Sequence, residues 1–365
     1  MKPTDTVKVA VVGASGYTGG ELLRLLVAHP RVTITAVTSE KSAGSPVSAV
    51  FPQLLSLLSL SYEELAPEAI AKRADVVFLA LPHTKCLQLA SDFVAAGKRV
   101  LDLSADFRLK DPNQYETWYQ VSHPYPELLK QAVYGLPELH RLQIQKSHLV
   151  AVPGCYPTAA ILQLAPLIAN GLVDPATIVI DAKSGISGAG RSPALPYHFP
   201  EAHESIEAYK IGQHRHIPEI EQEITGLYGT ATGKSSQGGK RKPDSIRILF
   251  TPHLVPMNRG ILSTGYCRLL EPIKQAELAA LYRDFYQGER FIRFQEGNAS
   301  ANPRHVRGSN FCDVAVSAQN RGEWVVTVAA LDNLVKGAGG QAIQSMNLML
   351  GIPEETGLLA PGLYP

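Results

Sequence analysis

Val7-Lys-Val-Ala-Val-Val12 runs without a break into Gly13-Ala-Ser-Gly16-Tyr-Thr-Gly19-Gly20, and then into Glu21-Leu-Leu-Arg-Leu-Leu26. The first run is β-branched and too short for a helix, so it reads as a strand. Leu22, Leu25, Leu26 and His29 fall on one helical face, and Pro30 stops the helix. Val32–Val37 supplies the next strand. Strand, glycine loop, helix and strand in that order form a βαβ unit. Its glycines let the backbone turn tightly and approach a pyrophosphate. The spacing is G-x-x-G-x-x-G rather than the commoner G-x-G-x-x-G, and the surrounding elements are what favour a dinucleotide site over an ordinary turn. Gly13, Ser15, Gly16, Tyr17, Thr18 and Gly19 are therefore the candidate cofactor-binding residues.

The cofactor's ribose is expected near Thr38-Ser39-Glu40-Lys41-Ser42, at the end of the second strand. Glu40 would suit NAD, whereas Ser39 and Lys41 would suit the extra phosphate of NADP; the reading leans towards NADP. Further along, Asp75–Leu81 reads as a buried strand ending at Pro82-His83, followed by a helix over 84–97 and a strand over Val100–Leu103. Alternating strands and helices predict a doubly wound parallel sheet of Rossmann type, with ligands beyond the strand C-termini. Pro82 and the Ser104-Ala-Asp-Phe-Arg108 segment fall there. Arg108 is either a solvated charge or a fork for phosphate. Residues 110–147 carry no clear periodicity and read as loops with short helices.

Ala151-Val-Pro-Gly-Cys-Tyr-Pro-Thr158 follows a short apolar strand and leads into the apolar stretch 159–169, closed by Asn170-Gly171. This reads as strand, tight turn, cysteine, helix, with Gly171 as the C-terminal stop. A thiol at a helix start meets unpaired N–H groups and a favourable dipole, which stabilise thiolate. Cys155 is either a small buried hydrophobe or a nucleophile; its constrained turn favours the nucleophile.

Beyond Cys155 the character changes. A strand is expected over Thr177–Ala182, then the glycine-rich loop Lys183–Arg191, either a phosphate cradle or a plain turn. Residues 193–218 are rich in histidine and include Gln213-His-Arg-His216-Ile-Pro-Glu219. His-x-His without a cysteine partner or HExxH spacing is weak for zinc, so no metal site is expected, and His214 and His216 are better read as partners of the cysteine. In an extended segment the two would share a face. Ile217-Pro218 resembles a helix entry, so His216 would sit at a helix N-terminus and is the favoured acid–base group. Tyr228–Asp244 reads as a surface loop or hairpin tip. Strands are expected at 246–255, 261–269, 312–319 and 324–331, with helices at 275–287 and about 341–350. These predict a second, α+β domain with a mixed or antiparallel sheet.

Lys plus Arg number 34 and Asp plus Glu 33, a formal charge of +1 that offers nothing to nucleic acid or an anionic membrane. No apolar stretch approaches the roughly 20 residues needed to span a bilayer, and Val9–Val12 is too brief for a signal peptide. Four widely spaced cysteines without a CxxC pair suit a reducing compartment. A cytoplasmic protein is expected.

The runs GASGYTGGELLRLL, ALPH, DLSADFR, YGLPE, VPGCYPTAA, KSGISGAGR, HRHIPEI, TPHLVPMNRGILST and NLVKGAGGQAIQSMNLM extend from Gly13 to Met349. At this order and spacing the chain resembles the N-acetyl-γ-glutamyl-phosphate reductases of arginine biosynthesis. The resemblance implies NADPH-dependent reduction of an acyl phosphate through a thioester on Cys155, with His214 and His216 close by. It implies phosphate contacts from Arg108 and Ser104, and cofactor contacts from Ser187, Gly188 and Lys336. It also implies a homodimer or homotetramer, and a cofactor domain of 1–153 with 333–365 around a catalytic domain of 154–332. Aspartate-semialdehyde dehydrogenase, a reductase of carrier-bound aminoadipyl phosphate and a non-catalytic NADP-binding sensor are the alternatives. Against the first, Gly260 is followed by Ile261, where that enzyme's histidine is expected.

Overall fold

The structure, a computed structural model, describes residues 6–231, 246–297 and 301–364. In chain order the strands are β1 (Val7–Val12), β2 (Val32–Val37), β3 (Val76–Leu79), β4 (Arg99–Asp102), β5 (Val133–Tyr134), β6 (Leu149–Ala151), β7 (Val179–Gly185), β8 (Glu207–Ala208), β9 (Leu249–Val255), β10 (Ile261–Arg268), β11 (Ile292–Gln295), β12 (Cys312–Gln319) and β13 (Trp324–Leu331). The α-helices are α1 (Tyr17–Val27), α2 (Val47–Val50), α3 (Pro67–Ala71), α4 (Leu87–Ala95), α5 (Pro112–Tyr119), α6 (Pro126–Gln131), α7 (Pro137–Lys146), α8 (Cys155–Ala169), α9 (Phe199–Ala202), α10 (Ile217–Ala231), α11 (Gln275–Phe285), α12 (Pro303–Val306) and α13 (Gly340–Met349). Two compact units emerge, Met1–Gly154 with Ala338–Ala360, and Cys155–Gly337 with Pro361–Pro365. Among the described residues no helix is long and apolar enough to cross a membrane.

The first unit holds a parallel sheet of order β2-β1-β3-β4-β6-β5. Every residue of β3 is buried, as expected where helices cover both faces. On one face Ala10, Val12, Leu79 and Val100 pack with Ile70 of α3 and Phe93 of α4. Elsewhere in the unit α13 packs against α1, α7 and β4. Glu354, in the segment after α13, accepts from Arg141 Nη2 at 3.0 Å and from Gln344 Nε2 at 2.9 Å, which ties that segment to α7 and α13. Because β2 and β3 flank β1 on opposite sides, the strand order reverses between β1 and β3. Ligands of doubly wound sheets bind beyond the C-terminal ends of such a pair.

Two expectations change in this unit. The helix expected over 84–97 starts only at Leu87, because Thr84 has φ +71 and cannot be helical. Residues 110–147 contribute, besides helices, the edge strand β5, whose two residues are too few to show a period.

The second unit holds a mixed sheet of order β11-β12-β13-β10-β7-β9-β8. It is parallel between β11 and β12 and between β7 and β9, and antiparallel elsewhere. Helix α8 lies on it, and Tyr156 to Ile168 are all buried, which suits a helix apolar on every side. A Cβ at Gly265 of β10 would come within 2.5 Å of Thr327 Oγ1 and 3.0 Å of Gln163 Nε2, so glycine there lets α8 approach. Gln163 Nε2 then donates to Ser263 Oγ at 3.0 Å.

Pro166 stands inside α8 and has no N–H for the carbonyl of Leu162. The Tyr286 hydroxyl, just past α11, donates to that carbonyl instead. The helix stops at Gly171, φ +63, where Gly171 N–H meets Ile168 O and Leu172 N–H meets Leu167 O. Strand β7 runs on to Gly185, beyond the expected Ala182, so the loop proper is the 3-10 turn Ile186–Ala189. Residues 228–231, expected in a loop, belong to α10; the rest of that stretch, 232–244, lies outside the described residues.

Candidate active site

In the first unit, the loop between β1 and α1 is shaped by three glycines with different duties. Gly13 has φ +83, and a Cβ there would stand 2.6 Å from Ala80 O and 2.8 Å from Leu81 Cδ2, just past β3. A Cβ at Gly19 would stand 2.6 Å from Ala14 Cα, so α1 packs directly on the turn. Gly16, the N-cap of α1, is open: only Gly13 O comes near, at 3.9 Å. That space faces the start of an 11-residue helix with no side-chain cap and no acidic residue in its first turn. Backbone N–H groups left over there suit an anion such as a pyrophosphate, and the loop lies at the switch point of the sheet.

Hydroxyl groups lock this loop to the turn after β2. Gly13 N–H donates to Thr38 Oγ1 at 3.2 Å, Ser15 Oγ and Ser39 Oγ lie 2.8 Å apart, and Ser42 N–H donates to Ser39 Oγ at 3.2 Å. Ser39 is buried and shapes the turn, while Glu40 and Lys41 are exposed at its tip.

At the C-terminal end of β4, Asp102 and Asp106 are fully buried. Ser104 hydroxyl donates to Asp102 Oδ2 at 2.9 Å and accepts from Asp106 N–H at 3.1 Å. Ser104, a candidate phosphate contact, is buried, and its hydroxyl links the Asp102 carboxyl to the backbone of Asp106. Burial, and then the neighbouring Asp106, push the Asp102 carboxyl up to about 6. Arg108 is no solvated surface charge. It is buried, with Nε donating to Val152 O at 2.8 Å and Nη2 to Leu103 O at 2.9 Å. It thus braces the chain just before Pro153-Gly154.

In the second unit, Cys155 is a half-buried thiol, in no disulfide, at the first position of α8. A Cβ at Gly337 would lie 2.8 Å from Cys155 Cβ, so the thiol's backbone is backed closely by the 335–339 turn. The next residue, Tyr156, organises the surroundings. Its ring meets those of His214 and His216 edge-on, with centroids at 5.6 and 6.0 Å, and its hydroxyl donates to His253 O at 3.1 Å. Tyr209 hydroxyl donates to that of Tyr156 at 3.3 Å. Burial first, with the nearby Cys155, raises the Tyr209 phenol to about 12, against the opposing effect of the Tyr156 hydrogen bond.

The two histidine rings lie 4.7 Å apart. His214 Nδ1 accepts the backbone N–H of His216 at 3.2 Å. Burial, helped by Lys210 and Arg215, lowers the His214 pKa to about 4, so its imidazole is neutral near pH 7. His216 immediately precedes α10, and its carbonyl accepts the N–H of Ile220 at 3.1 Å. An imidazole at a helix start, a second held neutral beside it, and a thiol at another helix start can together carry acyl transfer.

Residues 8–147 match the family described as semialdehyde dehydrogenase, NAD binding domain, and residues 155–333 match semialdehyde dehydrogenase, dimerisation domain. A Geotalea daltonii protein named N-acetyl-gamma-glutamyl-phosphate reductase is 52% identical over 360 residues, covering 98% of this chain and 100% of the relative. Equally named proteins of Geobacter metallireducens and Desulforamulus reducens are 51% and 48% identical, each over 98% of this chain and 100% of the relative. The chain belongs to the N-acetyl-gamma-glutamyl-phosphate reductase family. It is therefore an oxidoreductase of the semialdehyde dehydrogenase type. Solved structures agree in fold. Aspartate semialdehyde dehydrogenase II of Vibrio cholerae superposes with a TM-score of 0.71 at 16% identity, over 95% of this chain and 99% of that one. The Candida albicans enzyme with NADP gives 0.70 at 17%, again over 95% and 99%.

Ser187 and Gly188 lie in the 3-10 turn after β7, and Asn333 Nδ2 donates to Ser187 Oγ at 3.0 Å while Asn333 Oδ1 accepts Gly260 N–H at 2.7 Å. Lys336 is entirely buried, its ammonium 5.8 Å from the centre of the Phe291 ring, which sets it apart from the exposed Lys41. Asp106, Tyr156 and Asn333 were not singled out from sequence. Tyr156 adjoins the cysteine and Asp106 lies inside the DLSADFR run, but neither position shows what the side chain will hold.

Proposed function

We propose that this chain catalyses the NADPH-dependent reductive dephosphorylation of N-acetyl-γ-glutamyl phosphate to N-acetylglutamate semialdehyde and phosphate. The observation that carries the reading is Cys155 at the start of α8, followed by a tyrosine whose ring meets both His214 and His216. The names of the relatives supply the substrate.

Cys155 attacks the acyl carbonyl as a thiolate, favoured by the first-turn N–H groups of α8. The C–S bond forms, the carbonyl–oxygen bond to phosphate breaks, and phosphate leaves with the electron pair. The hydride for the thioester carbon is what NADPH contributes when bound. His216 exchanges the proton of the tetrahedral oxygen, and cleavage of the C–S bond releases the aldehyde and restores the thiolate. One proton is taken up overall and departs on phosphate. His214 holds His216 in place, and Arg108, which braces the backbone at Val152, would offer charge to phosphate.

Gly13, Ser15, Gly16, Tyr17, Thr18 and Gly19 would hold the pyrophosphate, with Pro82 beside them. Ser187 and Gly188 would lie near the nicotinamide. Exposed Lys41 supports NADP, with Ser39 shaping the turn that presents it. On the uncovered face of β10, Leu262 and Thr264 are half-buried and Tyr266 is exposed, and Val326 and Val328 of β13 are also half-buried. A homodimer or homotetramer formed through this face suits its apolar character. A soluble cytoplasmic enzyme fits the reduced cysteines.

The test is phosphate-dependent reduction of NADP and NAD with N-acetylglutamate semialdehyde, aspartate semialdehyde and a carrier-bound aminoadipate semialdehyde. Turnover is expected with the first aldehyde, and more efficiently with NADP. Preference for another aldehyde, or no turnover, would replace the reading.

A further inference from the structure

Thr84 carries the β-branched side chain least suited to its backbone, at φ +71. It lies in the Pro82–Cys86 segment between β3 and α4. This segment adjoins the glycine loop, since a Cβ on Gly13 would touch Ala80 O and Leu81 Cδ2. Such a conformation persists only where its surroundings over-determine it.

Asp106 supplies that determination from the neighbouring strand end. Its Oδ1 accepts Thr84 N–H at 2.7 Å and the Tyr115 hydroxyl at 2.9 Å, and its Oδ2 accepts Cys86 N–H at 2.9 Å. Asp106 is in turn held by its own N–H to Ser104 Oγ and by its carbonyl against His123 Nε2 at 2.9 Å. A third link joins the same two loops, Ala105 N–H to His83 Nδ1 at 3.0 Å. A fully buried carboxylate thus holds the backbone of the segment that directly follows Ala80 and Leu81, the residues lying against Gly13.

We propose that Asp106 is a positioning residue that clamps the Pro82–Cys86 loop in its strained form as a rigid wall of the dinucleotide site. This rests on the cofactor reading above. It predicts an effect on cofactor binding rather than on the chemistry at Cys155.

Asp106→Asn keeps the shape but turns one acceptor into an NH2 group facing a backbone N–H. NADPH dissociation constants, measured by fluorescence titration, should rise about tenfold, the loss expected for one charge-assisted hydrogen bond. The kcat at saturating NADPH should stay within about threefold, since an interaction of the bound cofactor alone leaves the chemical step intact. Thr84→Gly added to Asp106→Asn should recover most of the affinity, because glycine adopts positive φ without help. Unchanged affinity in Asp106→Asn, or a loss that Thr84→Gly does not reduce, overturns the proposal. Hydrogen exchange of the 82–88 segment in the unmodified, cofactor-free protein judges the clamp even if Asp106→Asn fails to fold. Slow exchange is expected, and exchange at the rate of an unstructured peptide overturns it. If the unmodified protein binds no NADPH, the cofactor reading fails, while the exchange experiment still decides the clamp.

Discussion

His214 Nδ1 accepts the backbone N–H of His216, so the neutral His214 ring carries its proton on Nε2 and its lone pair is occupied by its neighbour's backbone. A ring so committed, and with a pKa near 4, is a poor proton carrier at neutral pH. His216→Asn should therefore lower kcat by about 10²- to 10⁴-fold, the range for loss of a general acid–base. His214→Asn, whose amide oxygen can still accept that N–H, should mainly raise the Michaelis constant for the aldehyde. Steady-state kinetics of both folded variants decide between them, and the reverse ranking moves the acid–base role to His214.

The same histidine makes a pH prediction. Its unfolded pKa is near 6.5 and its folded pKa about 4, so between these values the unfolded chain binds the proton and the folded chain refuses it. Stability is lost as pH falls through that window, by on the order of 3 kcal/mol once complete. Asp102 acts with the opposite sign: its folded pKa near 6 exceeds the unfolded 3.8, so its protonation favours the folded state over much of the same range. The contribution of His214 is therefore read from urea unfolding of wild type against His214→Asn. The variant should be relatively more stable at pH 4.5 than at pH 7.5, and a constant difference would contradict the burial argument.

Gly337 leaves no room behind the nucleophile. A Cβ there meets Cys155 Cβ at 2.8 Å, Leu331 Cδ1 at 3.2 Å and Asp332 O at 3.3 Å. Gly337→Ala should displace the thiol and lower kcat at least about tenfold, in line with the sensitivity of catalysis to displacements near 1 Å. Its rate of alkylation by iodoacetamide should change as well. Cys155→Ser should abolish both turnover and active-site labelling while leaving the circular dichroism unchanged. Wild-type turnover in Gly337→Ala would mean the thiol tolerates the shift.

Tyr286→Phe isolates the cost of Pro166. Without the hydroxyl, the buried carbonyl of Leu162 has neither a helical N–H nor this donor. A destabilisation of about 1–3 kcal/mol is expected, the penalty of an unsatisfied buried acceptor. Urea unfolding measures it, and Pro166→Ala in the same background should restore part of the loss by returning the missing N–H. A neutral Tyr286→Phe would show the carbonyl to be satisfied otherwise.

Local sequence was enough wherever the governing interactions lie within a few residues. The extents of β1, β2, β12 and β13, the glycine turn before α1 and the stop of α8 at Gly171 follow from alternation, helical period and the freedom of glycine at positive φ. The helix starts at Cys155 and just after His216 were legible from the same local signals. Tertiary structure alone decided what joins distant residues. Asp106 reaches Thr84 across 22 positions, Tyr286 reaches Leu162 across 124, and Gly337 backs Cys155. It also decided which polar side chains are buried, Ser104 and Lys336 among them. Periodicity reports which face of an element is apolar. It carries no record of which buried carbonyl, N–H or carboxylate lacks a partner, because that need arises only once the elements have packed.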